Sequence, residues 1–161
     1  MTVNQKVLGS NPRGRANFNV MNTKFIGNVG EAKTLSKFVE LGIPVYIPFG
    51  DNEKSDLIAE FNGKLNKIQC KTSLSIKDNK IYFSLVSSTF HRKNGIKHVY
   101  SNEEIDYFSL YNIETDILLL IPIEIIEGMK SISFRVPFKE GKHNQFQNYN
   151  FEDFLFEKIV L

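Results

Sequence analysis

Apolar residues recur at helical spacing in the first patterned part of the chain. At residues 28–41 they follow three- and four-residue intervals, which predicts an amphipathic helix ended by Gly42 and Pro44. An apolar run at 43–47 then predicts a short buried strand. Residues 48–55 are polar and predict a loop.

The next part of the chain is dominated by strand patterns. Asn62-Gly63, a pair typical of tight hairpin turns, separates strand-like segments at 56–61 and 64–72. The remaining predicted elements are strands at 75–77, 80–86, 117–121 and 131–136, a basic connection at 87–101, helices at 103–111 and 151–160 (the latter with Asn150 as N-cap), and a short turn or helix at 122–127. This order predicts an α/β fold built on a mixed sheet.

Composition favours a single soluble domain. The chain has 161 residues, of which 42% are hydrophobic and 24% charged, values that suit one globular core. Residues 1–20 lack apolar periodicity and are expected to be a flexible N-terminal arm or an expression leader, with one domain at 21–161. The only cysteine, Cys70, excludes an internal disulfide and a cysteine-based zinc cluster. The longest apolar run, at 117–122, is too short to span a membrane, so we expect a cytoplasmic protein, prokaryotic or organellar, with no membrane partner.

The net charge of +2 hides a strong segregation along the chain. Residues 61–98 contain eight Lys and Arg and one Asp, a net of +7, whereas residues 99–129 contain seven acids and no Lys or Arg, a net of −7. This distribution predicts a strongly positive surface, typical of a nucleic-acid partner. The alternative is two solvated faces that neutralise one another, within the monomer or across an oligomer contact.

The predicted hairpin brings polar side chains together. If Asn62-Gly63 forms a type I′ turn, Asp56 lies directly across from Gln69. Side chains alternate along a strand, so Lys71 points to the same face. The opposite face is mostly apolar and can pack inward through Leu57, Ala59, Phe61, Ile68 and Cys70.

These residue types suit phosphodiester hydrolysis. Asp56, the side-chain oxygen of Gln69 and the backbone carbonyl of Cys70 offer hard oxygen ligands for Mg²⁺, and Mn²⁺ is a plausible substitute. Lys71 can orient or activate water or stabilise developing negative charge, and Glu31 can add a second carboxylate. The alternatives are a surface ion pair between Asp56 and Lys71 and an exposed helix position for Glu31.

The order Glu31, Asp56, then Gln69-Cys70-Lys71 resembles the PD-(D/E)XK nuclease superfamily. Residues 28–33, Asn-Val-Gly-Glu-Ala-Lys, resemble the first-helix signature of its resolvase-like and homing members. Residues 21–73 are similar to the intron-encoded homing endonucleases, and a helix at 104–108 followed by an apolar strand also fits that group.

The resemblance implies a restriction-endonuclease-like fold, a mixed β-sheet core flanked by helices. Two positions depart from the motif. Ser55 replaces its proline, which contacts no metal. Gln69 replaces the usual Asp or Glu and removes a negative charge, which argues against binding two metals and leaves open a domain that binds DNA without cutting it.

The implied activity is a Mg²⁺-dependent, sequence-specific endonuclease of double-stranded DNA, of the intron-homing type. Its expected catalytic residues are Glu31, Asp56, Gln69 and Lys71. Cutting both strands needs two active sites, so we expect a homodimer or homotetramer. The alternatives are a Holliday-junction resolvase-like nuclease and a catalytically inactive DNA-binding module of the same fold.

Two basic segments are candidate DNA contacts. The hairpin at 73–86 is expected to enter the major groove as a two-stranded ribbon. The expected DNA contacts are Ser75, Lys77, Asn79 and Lys80 in this hairpin and His91, Arg92, Lys93 and Lys97 in the following connection.

Overall fold

A computed structural model describes residues 22–50, 53–88, 97–136 and 151–161. Its elements are α1 (Thr23–Glu40), β1 (Val45–Tyr46), β2 (Leu57–Phe61), β3 (Lys64–Ser73), β4 (Ile76–Lys77), β5 (Lys80–Ser84), β6 (Val86–Ser88), β7 (Lys97–Val99), β8 (Tyr107–Asn112), β9 (Ile117–Pro122), α2 (Ile123–Ile126), β10 (Ser131–Arg135), a 3₁₀ helix (Phe151–Phe154) and α3 (Phe156–Val160). The helix α1 begins after Asn22, whose side-chain oxygen accepts the Phe25 N–H at 2.8 Å. It ends before Gly42, which has a φ of +71°.

The predicted mixed sheet is confirmed. Its five strands run in the order β1-β2-β3-β8-β9, with β3 and β8 parallel and the other neighbours antiparallel. A smaller antiparallel sheet, β10-β5-β4, and a ribbon of β6 and β7 accompany it.

Two apolar cores lie on opposite faces of the main sheet. The first joins the small sheet to β8, β9 and α2 and includes Ile81, Phe83, Phe108, Leu110, Ile121 and Phe134. The second lies under α1 and α3 and includes Phe38, Leu57, Phe61, Ile68, Leu120 and Phe156. The molecule is therefore layered, with α1 and α3 on one side of the main sheet and the small sheet and α2 on the other.

The central hairpin forms in the predicted register. Asn62 and Gly63 have φ values of 54° and 74°, as a type I′ turn requires, and Leu57 pairs with Ile68. The predicted apolar face is buried in the second core and comprises Leu57, Ala59, Phe61, Ile68 and Cys70. Because a slip of one residue would expose this face, its burial holds the register.

The helix predicted at 103–111 is wrong, and so is the helix at 104–108 within it. The chain instead forms turns at 102–104 and then the strand β8, which lies between β3 and β9. Ile105 and Phe108 are both buried at a helix-like spacing of three. Since β8 is covered on both faces, its apolar pattern does not alternate and gave no strand signal.

Several other boundaries differ from those predicted. The strand at 43–47 shortens to β1 at the sheet edge, where Tyr46 is exposed rather than buried. The connection at 87–101 contains parts of β6 and β7, and the closing helix at 151–160 divides at Leu155, which forms a bridge with Leu119. Asn150 lies outside the described residues. Over the part of the chain that the structure describes, no helix has the length and apolarity of a membrane span.

Candidate active site

The candidate site forms where β2 stops and β3 continues. Asp56 directly precedes β2, and its N–H donates to the carbonyl of Ile68 at 2.9 Å. Ile68 is the last β3 residue that pairs with β2, so β3 extends past it toward Ser73. The Asp56 carboxylate accepts the backbone N–H of Cys70 at 2.7 Å, so it occupies the strand edge that β2 leaves open.

Gln69 lies beside Asp56, as the hairpin register predicts. Its amide nitrogen Nε2 donates to Asp56 Oδ2 at 2.5 Å and to the carbonyl of Cys70 at 3.4 Å. This nitrogen therefore donates to two groups, the Asp56 carboxylate and the Cys70 carbonyl, that the sequence predicts as metal ligands. For the side-chain oxygen of Gln69 to act as a ligand, the amide has to turn about its last torsion.

Lys71 is held between a carbonyl and an aromatic ring. Its Nζ donates to the carbonyl of Val86 at 3.5 Å and lies 5.1 Å from the ring centroid of Tyr100. Burial lowers the pKa of Lys71, and the nearby Asp56 carboxylate opposes that shift. Burial also raises the pKa of Tyr100 to about 12.

Glu31 reaches the site because α1 packs very closely on β3. A Cβ on Gly30 would lie 1.9 Å from Oγ1 of Thr72, so only glycine permits this approach. One turn later, Thr34 Oγ1 donates to the carbonyl of Gly30 at 2.8 Å and lies 2.7 Å from Ser109 Oγ in β8. These contacts fix the segment that carries Glu31.

The two carboxyl groups share a partly buried environment. The pKa of Asp56 is raised because burial outweighs the hydrogen bonds from Cys70 and Gln69 and the charge of Lys71. The pKa of Glu31 is raised by burial and by the Asp56 charge. Such a carboxylate pair favours a bound cation, because a cation offsets both the lost solvation and the repulsion.

The donor set fits a divalent metal with a preference for oxygen. Within residues 22–50, 53–88, 97–136 and 151–161, no group of three His, Cys, Asp or Glu side chains could hold a metal. Metal binding would thus need the amide oxygen of Gln69 or the carbonyl of Cys70 in addition to Asp56 and Glu31. All four supply oxygen ligands of the kind that Mg²⁺ prefers.

The predicted DNA contacts are divided between two places. Lys77 and Lys80 lie on β4 and β5, Ser75 precedes β4, and Asn79 lies in the turn between the strands with a φ of 56°. Lys97 is exposed on β7, which belongs to the separate ribbon. His91, Arg92 and Lys93 lie outside the described residues.

Acidic side chains of residues 99–129 partly neutralise the basic segment at residues 61–98. Lys64 Nζ forms an ion pair with Asp106 at 2.9 Å, and the same carboxylate accepts the N–H of Lys67. His98 Nε2 lies 2.8 Å from Glu104. The mutual neutralisation of the two charged segments within the monomer, which was the alternative prediction, is therefore present at these contacts.

Sequence reasoning missed the surroundings of Lys71 and the cause of the Glu31 position. The contacts with Val86 and Tyr100 arise from a distant part of the chain and follow no local pattern. One feature of the sequence indicated the Gly30–Thr72 contact, namely a glycine inside a predicted helix. Such a glycine suggests a close packing approach.

Comparisons with known proteins agree with the fold. A family profile described as PD-(D/E)XK endonuclease matches residues 21–156. Among solved structures, the bacterial homing endonuclease I-Ssp6803I has a similar fold, with a TM-score of 0.66 and 19% sequence identity over 83% of this chain and 88% of that one. No curated protein gives a significant match.

Proposed function

Since the chain belongs to the PD-(D/E)XK endonuclease family, we propose that it hydrolyses phosphodiester bonds of double-stranded DNA at specific sites with Mg²⁺. The observation that carries this proposal is the Asp56 carboxylate, bonded to Gln69 and Cys70 on an open strand edge with Glu31 and Lys71 nearby. An intron-homing role is supported by the fold shared with I-Ssp6803I, itself described as a homing endonuclease. The domain proposed to carry this activity spans 21–161.

In the proposed mechanism, a metal would be held by Asp56, the Gln69 side-chain oxygen and the Cys70 carbonyl, with Glu31 as a further ligand. The bound Mg²⁺ would supply a more acidic water and neutralise charge on the phosphate. Lys71 places its ammonium group beside the reacting phosphate, where it stabilises developing negative charge or orients the attacking water. Val86 and Tyr100 restrict the positions that Lys71 can adopt.

We further propose that the active form is a homodimer or homotetramer. The described part of one chain offers one such site, whereas a double-strand cut needs a site for each strand. Light scattering coupled to size-exclusion chromatography measures the assembly directly. A monomer that cuts both strands in a single binding event would contradict this part of the proposal.

The decisive experiment compares cleavage of linear duplex, four-way junction and single-stranded DNA in Mg²⁺ or Mn²⁺. The duplex pool should contain the intron-insertion site or a library broad enough to include it. Asp56→Ala and Lys71→Ala should each abolish cleavage while duplex binding in EDTA persists. Asp106→Asn is the matched control, because Asp106 also accepts a backbone N–H and faces a lysine but lies outside the site.

Each other outcome selects a different function. Cleavage confined to four-way junctions would replace the homing assignment with a resolvase-like one. Binding of the cognate duplex without cleavage in either metal would identify an inactive DNA-binding module. Equal loss of activity in Asp106→Asn and Asp56→Ala would show that the effect is structural rather than specific to the site.

A further inference from the structure

The small sheet presents a basic outer surface away from the core. Its strands alternate cleanly, with Ile81, Phe83, Ile132 and Phe134 buried against the first core. The opposite side chains, which we term the outer face, include Lys77, Lys80, Tyr82, Ser84, Ser133 and Arg135. The outward positions of these three strands contain cations, hydroxyls and a tyrosine but no acid, and the nearest acid in sequence is Asp78 in the turn.

The register arranges these side chains in rows. Lys80 pairs with both Lys77 and Arg135, so three cations form one row across all three strands. Adjacent strands lie about 4.8 Å apart, which gives the row a width of about 10 Å. The next row pairs Tyr82 with Ser133, and the tyrosine remains 47% exposed although it lies in the middle of a sheet.

We propose that this outer face binds duplex DNA, with the cation row on the phosphate backbone and Tyr82 and the serine hydroxyls toward the groove. The width of the row is comparable to the major groove, which is about 12 Å wide and admits β-ribbons. Short hydroxyl side chains let the strands approach closely and still form hydrogen bonds. Arg135 and Tyr82 thereby extend the expected contacts from a two-stranded ribbon to a three-stranded face.

The outer face also lies close to the candidate site along the chain. β5 ends at Ser84, two residues before Val86, whose carbonyl accepts Lys71 Nζ at 3.5 Å. Two strand residues span about 7 Å. The end of β5 therefore lies close to the Val86 carbonyl that contacts Lys71. This inference rests on the proposed nuclease function for the identity of its ligand.

The test measures binding of a fluorescein-labelled, mixed-sequence duplex to the full chain by fluorescence anisotropy in EDTA, over about 50 to 200 mM salt. Lys77→Ala and Arg135→Ala should each reduce the slope of log affinity against log salt by about 1. Arg135→Lys should retain the wild-type slope, and Tyr82→Ala should weaken binding at every salt concentration. Lys158→Ala and Tyr46→Ala remove an exposed lysine on α3 and an exposed tyrosine on β1, and should leave both quantities unchanged.

Wild-type slopes in Lys77→Ala and Arg135→Ala would overturn the inference, provided that circular dichroism shows unchanged melting. Tighter binding of single strands than of duplex would assign the face to single-stranded nucleic acid instead. Metal-dependent cleavage by the wild type is measured separately. If the protein cleaves DNA but these substitutions leave its affinity for DNA unchanged, only the outer-face inference is refuted. If the protein binds DNA through this face but does not cleave it, only the proposed nuclease function is refuted.

Discussion

Gly30→Ala should separate α1 from β3 and displace Glu31 from the site. The added Cβ would lie 1.9 Å from Thr72 Oγ1 and 3.2 Å from its Cβ, whereas ordinary contacts begin at 3.4 Å. The two elements must therefore move apart by about 1.5 Å, or Thr72 must leave its rotamer, and such overpacking costs about 1–3 kcal/mol. Alanine favours a helix over glycine by about 1 kcal/mol, so we expect a net loss of up to about 2 kcal/mol.

Urea unfolding measures this loss, and cleavage rates measure the displacement of Glu31. A misplacement of about 1 Å in a catalytic group can reduce the rate by about a hundredfold. The matched control is Gly27→Ala in the same helix, where no atom of the residues that the structure describes lies within 4 Å of the added Cβ. That variant should gain up to about 1 kcal/mol and keep full activity.

A double mutant tests whether the contact itself is responsible. Thr72 Oγ1 is buried and has no hydrogen-bond partner among the described residues, so Thr72→Ala alone should change the free energy of unfolding little. Combined with Gly30→Ala, it removes the closest atom and should restore most of the stability and activity. The reasoning is refuted if Gly30→Ala is as stable as Gly27→Ala, or if the double mutant is no better than Gly30→Ala.

Three further substitutions test individual features. Glu31→Gln should raise the melting temperature at neutral pH in EDTA, because the folded-state pKa of Glu31 is raised and its ionised form therefore destabilises the fold; a lower melting temperature would contradict this. Gly63→Ala should cost about 1–2 kcal/mol in urea unfolding, since Gly63 has a φ of 74°. The raised pKa of Tyr100, about 12, contributes stability that is complete below pH 10 and is lost as the pH rises from 10 to 12. Tyr100→Phe should remove that part of the alkaline loss, and tyrosinate absorbance near an ordinary pKa would argue against it.

The hairpin and its polar face could be predicted because their determinants are local. A two-residue turn sets the register, and the register then places Asp56 beside Gln69 and sends Leu57 into the core. The same reasoning failed at β8, because a strand covered on both faces loses the alternation that distinguishes strands from helices. The sequence could therefore predict which residues line the candidate site but not the central strand β8 that supports it.

The position of Glu31 illustrates a second limit of the sequence. Ala32 and Val39 follow the apolar spacing of α1, yet both are exposed, and the buried line of the helix runs through Ile26, Gly30, Thr34 and Phe38. Small and polar residues carry little hydrophobic signal, although they permit the closest packing. The contact that brings the helix to the site was therefore the least visible in the apolar pattern.

The same burial and charge repulsion that raise the pKa values of Asp56 and Glu31 favour an amide over a carboxylate at Gln69. A carboxylate at this position would put a third negative charge beside Asp56 and Glu31, whose pKa values burial already raises. The amide avoids that repulsion and donates to Asp56. The same substitution removes one charge from the ligand set. The proposed metal site therefore depends more heavily on Asp56 and Glu31.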